Sequence, residues 1–167
     1  MITEKSHKIY LFLILCFLLA VGLPSESRSQ AQGNQPVIHF SYAAAKVRVG
    51  DILKVYLSVS DPEADMSRVY FRIVSAGGKR FNPSFTMLKK GMERHFAGYF
   101  GLHTSSADEG DEFTLDLGVV DGKGTERVGL KFPFQVDGQS AKPLPVELEK
   151  ELNQRLGMID IDLNPPE

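Results

Sequence analysis

Four acids, Asp61, Glu63, Asp65 and Asp121, are the residues of this sequence whose types and spacing first suggest chemistry. Three lie in the run DPEAD and the fourth opens DGKG, so all four stand in turn-forming sequence. Gathered at one point, their carboxylate oxygens would form the hard, all-oxygen shell that Ca²⁺ takes. The plainer reading is solvated turn acids, because neither a twelve-residue EF-hand loop nor a nonapeptide repeat accompanies them. A second mixture, His103, Ser105, Ser106, Asp108 and Asp111, holds the residue types of a hydrolase. No G-x-S-x-G occurs anywhere, and three residue types in one long turn lack the fixed base–nucleophile geometry of a triad. Met87, Met92, His95 and His103 supply thioether and imidazole donors suited to copper. Met92 and His95 fall on opposite faces of a period-two strand, however, and methionine as core filler is the commoner use. The chain is therefore read as non-enzymatic.

These residues must be positioned by strands. Apolar and polar residues alternate through 53–59, 68–73, 112–119 and 127–136, with turn residues every 8–12 positions, which is the pattern of an all-β sandwich or barrel. Residues 37–43, 80–87 and 92–102 supply three further strands, for about seven in all. Pro83 and Pro133 place their strands at sheet edges. Ala76-Gly77-Gly78-Lys79 and Asp121-Gly122-Lys123-Gly124 supply the positive-φ residues of tight turns.

Val49-Gly50-Asp51-Ile52-Leu53 leads into VYLSVSDPEAD, and Asp108-Glu109-Gly110-Asp111 leads into FTLDLGVVDGKG. On these pieces residues 37–136 resemble bacterial immunoglobulin-like, PKD-like and cadherin-like modules of exported proteins. The resemblance implies an immunoglobulin-like antiparallel sandwich of about seven strands. There is no cysteine pair or core tryptophan of the antibody type. An immunoglobulin-like strand order would bring the turns at 60–66, 88–91 and 121–124 to one end, so Asp61, Glu63, Asp65 and Asp121 would converge there with Lys89, Lys90 and Lys123 as counter-charges. One outer face would carry Tyr70, Arg72, Glu112, Asp116, Arg127 and Lys131. The other would carry Tyr56, His95 and Tyr99, exposed aromatics that anchor a protein or glycan partner unless a C-terminal helix covers them.

Residues 138–167 read as a linker, a short helix over 145–156 and a tail. Leu148, Leu152 and Leu156 recur every four residues and form one narrow apolar stripe, which packs on the chain's own sandwich or docks in a partner's groove. Residues 158–163 add a short strand. At the other end, Lys5 and Lys8 precede an apolar run over 9–23, followed by a polar stretch, which describes a signal peptide over 1–31 and a linker over 32–36. A cut before Gln32 fits best and a cut after Ala20-Val21-Gly22 is the alternative; the run is short of the ~20 residues of a membrane span. Cys16 lies inside the apolar run and lacks the setting of a lipoprotein cysteine.

Composition bounds the functions. The 167 residues carry 19 basic and 21 acidic side chains, a net charge of −2, so nucleic acid is not an expected partner. One cysteine permits no intrachain disulfide, and a Cys-built zinc site is excluded. Tryptophan, the strongest sugar-stacking side chain, is absent, which favours a protein over a glycan. The expected role is an exported module, in the periplasm or at the cell surface, that binds a protein or glycan and needs no cofactor. The alternatives are a calcium-dependent adhesion module and an exported metal carrier or small enzyme. Contact with a membrane would come only through an uncleaved signal.

Overall fold

The computed structural model describes residues 35–138, 144 and 146–163. The expected signal peptide lies outside these residues. The fold is an all-β sandwich with one short C-terminal helix. Its strands are β1 (Val37–Ala43), β2 (Lys46–Val47), β3 (Ile52–Ser60), β4 (Met66–Ser75), β5 (Ser84–Met87), β6 (His95–His103), β7 (Glu112–Asp121), β8 (Glu126–Val136) and, after the helix α1 (Val146–Glu151), β9 (Arg155–Ile159). One sheet has the order β1-β3-β6-β9 and the other β2-β8-β7-β4-β5. The first strand switches sheets between its two halves, β1 and β2; β3 and β6 lie in the four-stranded sheet and the pairs β4-β5 and β7-β8 in the five-stranded one, an immunoglobulin-like order.

The alternating runs produce the core directly. Leu53, Val55, Leu57 and Val59 of β3 and Phe96, Phe100 and Leu102 of β6 meet Val69, Phe71 and Ile73 of β4 and Leu115, Leu117 and Val119 of β7, all buried. Phe71 and Phe100 join the sheets edge to face, with ring centroids 5.1 Å apart. Gly78 and Gly124, with φ of 83° and 85°, turn the chain where the glycine-rich runs predict.

Several expectations are corrected. The sandwich is not wholly antiparallel: β2 runs parallel to β8, and β9 parallel to β6. Among the described residues there are nine strands: beyond the seven expected in the sandwich, Lys46–Val47 forms the short β2, and the short strand expected over 158–163 lies at Arg155–Ile159. The strand expected over 80–87 forms its ladder only over Ser84–Met87, because proline at 83 cannot donate to one; Arg80 contributes an isolated bridge to Val74. The helix expected over 145–156 is Val146–Glu151, and Leu156 belongs to β9. A four-residue spacing fits both one helical turn and two strand repeats, so the leucines alone do not distinguish them. The chain leaves helical geometry because Tyr99 N–H donates to the Gln154 carbonyl at 2.9 Å, starting the β6–β9 ladder. Gly98 admits this approach: a Cβ there would overlap the Gln154 carbonyl oxygen.

Leu144 and residues 146–163 are therefore built into the sandwich. Leu156, Ile159, Ile161 and Leu163 enter its core, while Leu144, Leu148 and Leu152 form a second cluster on the outer face of the four-stranded sheet. Thr86 Oγ1 donates to the Met158 carbonyl and Asp160 N–H donates to Ser84 Oγ, both at 3.2 Å, tying β5 to the C-terminal segment along one side of the sandwich.

Candidate functional site

The turns that carry the acids do meet. Asp61 N–H donates to the Arg94 carbonyl at 2.7 Å, Met66 N–H to the Glu93 carbonyl at 3.2 Å, and Gly122 N–H to the Asp65 carbonyl at 2.8 Å. Two of the four carboxylates turn inward to cap their own loops, while Glu63 is exposed. Asp61, buried, accepts from the amides of Glu63 and Asp65. Asp121, also buried, accepts from the amides of Lys123 and Thr125 through Oδ1 and from Arg127 Nε at 2.7 Å through Oδ2. The Thr125 amide and Arg127 hold the Asp121 carboxyl below the ordinary carboxylate range, although burial opposes them. Asp65 is pushed the other way, by desolvation first and then by the hydrogen bond and charge of Asp61 and the charges of Asp121 and Glu63. Among the described residues no group of three or more His, Cys, Asp or Glu side chains is arranged to hold a metal ion.

The other candidates are dispersed or used internally. His95 and His103 stand at opposite ends of β6, eight residues or about 26 Å apart along a strand. In the loop after β6, Ser106 Oγ accepts from the Leu163 amide and Asp111 accepts from the Asp108 amide, so both serve the loop's own shape. Tyr56 and Tyr99 face one another across β3 and β6, with ring centroids 5.7 Å apart, and Tyr42 extends the row. Leu144, Leu148 and Leu152 pack over this row, and burial raises the Tyr56 phenol above its ordinary value against the opposing charge of Lys54. His95, four residues before Tyr99 at the start of β6, is exposed. Leu156 points into the sandwich core rather than joining Leu148 and Leu152.

The outer face of the five-stranded sheet is arranged differently. Register places Tyr70, Gly118 and Gly129 in one row across β4, β7 and β8, and Arg72, Asp116 and Lys131 in the next. The Glu126 side chain lies over the facing glycines, and beyond Phe71 the β5 ladder gives way to the irregular segment through Pro83. A groove of about 670 Å³ results, lined by Tyr70, Arg72, Arg80, Phe81, Asp116 and Lys131 among others. The guanidinium of Arg72 lies 5.2 Å from the Tyr70 ring centroid and that of Arg68 lies 5.7 Å from that of Phe85. Phe85 and Met87 on β5 are more than half exposed, at 59% and 58%. The ion pairs in the groove are long: Arg72 to Glu126 at 3.8 Å and Lys131 to Asp116 at 3.9 Å. Asp116 Oδ1 is buried and accepts no hydrogen bond from the described residues.

Sequence reasoning finds the outward set Tyr70, Arg72, Asp116 and Lys131 but misses Arg80, Phe85 and the facing glycines. A local charge count was the available signal: residues 67–94 hold seven basic residues and one acid.

No family model matches the chain. A 2,3-bisphosphoglycerate-independent phosphoglycerate mutase from Sulfurimonas denitrificans is 28% identical over 138 residues, which is 83% of this chain. The chain spans only 25% of that enzyme's length. Among solved structures, the CARDB domain of a Pyrococcus furiosus protein, determined in complex with di-metal ions, is similar at 14% identity and a TM-score of 0.38, over 62% of this chain and 88% of that one.

Proposed function

We propose that this chain is an exported, non-enzymatic interaction module that binds a protein partner through the open face of its five-stranded sheet. The observation that carries the reading is the difference between the two outer faces. One spends its tyrosines on the chain's own leucines. The other presents a groove rimmed by arginines, with Tyr70 and Phe85 beside them. Exposed arginine, tyrosine, phenylalanine and methionine are the side chains enriched at protein interfaces. One guanidinium lies against each of the Tyr70 and Phe85 rings, which leaves less flat aromatic surface for a sugar and favours a protein. Export rests on the charged head and apolar run at the N-terminus.

The test is site-specific photocrosslinking in producing cells, with the probe replacing Arg80 on the groove or Glu151 on the helix. A discrete protein adduct from position 80 that is lost on Lys131→Glu, with none from position 151, is the expected result. Adducts from position 151 alone would move the interface to the helix face and overturn the reading. The N-terminus of the protein recovered from the exported fraction should be Gln32; recovery with Met1 in the cytosol would overturn export.

A further inference from the structure

We infer that the groove takes an extended, acidic segment of the partner polypeptide. This rests on the open-face reading above and adds the chemistry of what binds there. Charge is the first argument. The chain as a whole is mildly acidic, yet residues 67–94 concentrate seven basic side chains against Glu93. The topology puts two of them, Arg72 and Arg80, on the groove with Lys131 from β8, three cations against the acids Asp116 and Glu126. Arg72 and Lys131 stand beyond hydrogen-bond distance of Glu126 and Asp116, so their donors remain available to a ligand's carboxylates.

Shape identifies the rest of the ligand. Gly118 and Gly129 face each other across β7 and β8, and the Glu126 side chain lies over Gly118, where a Cβ would stand 2.6 Å from its Oε1. Asp116 Oδ1 is buried, with Lys131 Nζ 3.9 Å away, so a ligand's contacts are with the cations on the rim. An extended peptide presents alternate side chains to those cations. A bilayer surface brings negative charge but is flat and cannot enter the groove. Phe85 and Met87, exposed on β5, offer apolar footing where the segment leaves the groove.

The experiment is fluorescence anisotropy on the full chain with a labelled peptide of alternating glutamate and threonine, its lysine–threonine counterpart, and vesicles containing phosphatidylglycerol. The glutamate peptide should bind and the lysine peptide should not. Arg72→Glu with Arg80→Glu, both at exposed positions, should weaken binding at least tenfold while the circular dichroism spectrum is unchanged. Asp116→Asn removes a negative charge from the groove and should bind as well as the parent or better. Weaker binding by Asp116→Asn, or indifference to the arginine reversals, overturns the inference. Arginine-dependent binding to vesicles in place of the peptide assigns the site to a membrane surface and also overturns it. Should the glutamate peptide fail while position 80 still crosslinks a protein, the acidic segment is wrong and the open-face reading stands.

Discussion

The turns that carry Asp65 and Asp121 are joined by a backbone hydrogen bond from Gly122 N–H to the Asp65 carbonyl, yet the two carboxyls are pushed in opposite directions. A raised folded-state value means that ionised Asp65 burdens the native state more than the unfolded chain. Taking up a proton as pH falls from neutral toward the ordinary carboxylate range, near 4, relieves that burden and adds stability. Asp121 has a lowered value, so its contribution is complete above the ordinary range and is lost as pH falls below it. Wild-type melts compared with variants across pH 3 to 7 should separate the two. Asp65→Asn should raise the midpoint at pH 7 by a few degrees, with the gain over wild type shrinking toward pH 4. Asp121→Asn should lower it at pH 7 by roughly 5–10 °C, because Arg127 then loses its charged partner, and the deficit should shrink below pH 4. The same bonding argues that millimolar Ca²⁺ leaves the melting midpoint unchanged; a shift of several degrees that Asp61→Ala abolishes would restore the calcium reading. At this scale the sequence is legible only in part. DPEAD and DGKG announce turns that carry acids, but whether a carboxylate faces solvent, a cation or its own amides depends on loop geometry that no spacing encodes.

The C-terminal segment joins the sandwich through a few close approaches on which the element depends. Leu152 is buried between the helix and the tyrosine row, so Leu152→Ala should cost about 2–3 kcal/mol, at the low end for a core leucine because the cluster is small. Gly98→Ala acts at the register of β9 itself. Its Cβ would displace the Gln154 carbonyl and crowd Leu156, and the φ of 155° adds strain, for a cost of about 1–3 kcal/mol. Hydrogen exchange should show protection lost over 155–159 while β4 and β7 keep theirs; uniform loss of protection would mean that β9 does not open separately from the rest of the sheet. Gly77→Ala, with only Ser75 Oγ nearby at 3.8 Å, is the control and should be near neutral. The alternating strands were legible because each buries one face in a single core. The final strand was legible only in part, expected over 158–163 and found at Arg155–Ile159, because Arg155-Leu156-Gly157-Met158-Ile159 is short, contains glycine and pairs in parallel with a strand more than fifty residues earlier.

At the scale of the molecule, a net charge of −2 conceals a strong polarity. Seven basic residues and one acid fall within residues 67–94, which run through β4 and β5 to the start of β6. The remainder of the chain is correspondingly acidic. A whole-chain average excludes a uniformly basic protein, and it leaves open a basic face on an acidic body. Only the fold, by folding these residues into adjoining strands and turns, converts a sequence interval into a surface. Charges closer together than the ~10 Å Debye length at 0.1 M salt act as a group, and a polarised domain presents its attractive side to an opposite surface whatever its net sign. The full chain should therefore be retained by a cation exchanger at pH 7 and low salt, and should elute as salt shortens the screening length. Arg72→Glu with Arg80→Glu makes the net charge more negative by four and should abolish retention. Lys150→Glu with Arg155→Glu makes the same change in net charge, on residues that are exposed in α1 and β9, and should leave retention nearly intact. Equal release by the two pairs would mean that net charge alone governs the behaviour and that the basic limb is not a functional face. Unequal release would give that face an electrostatic identity before any partner is in hand.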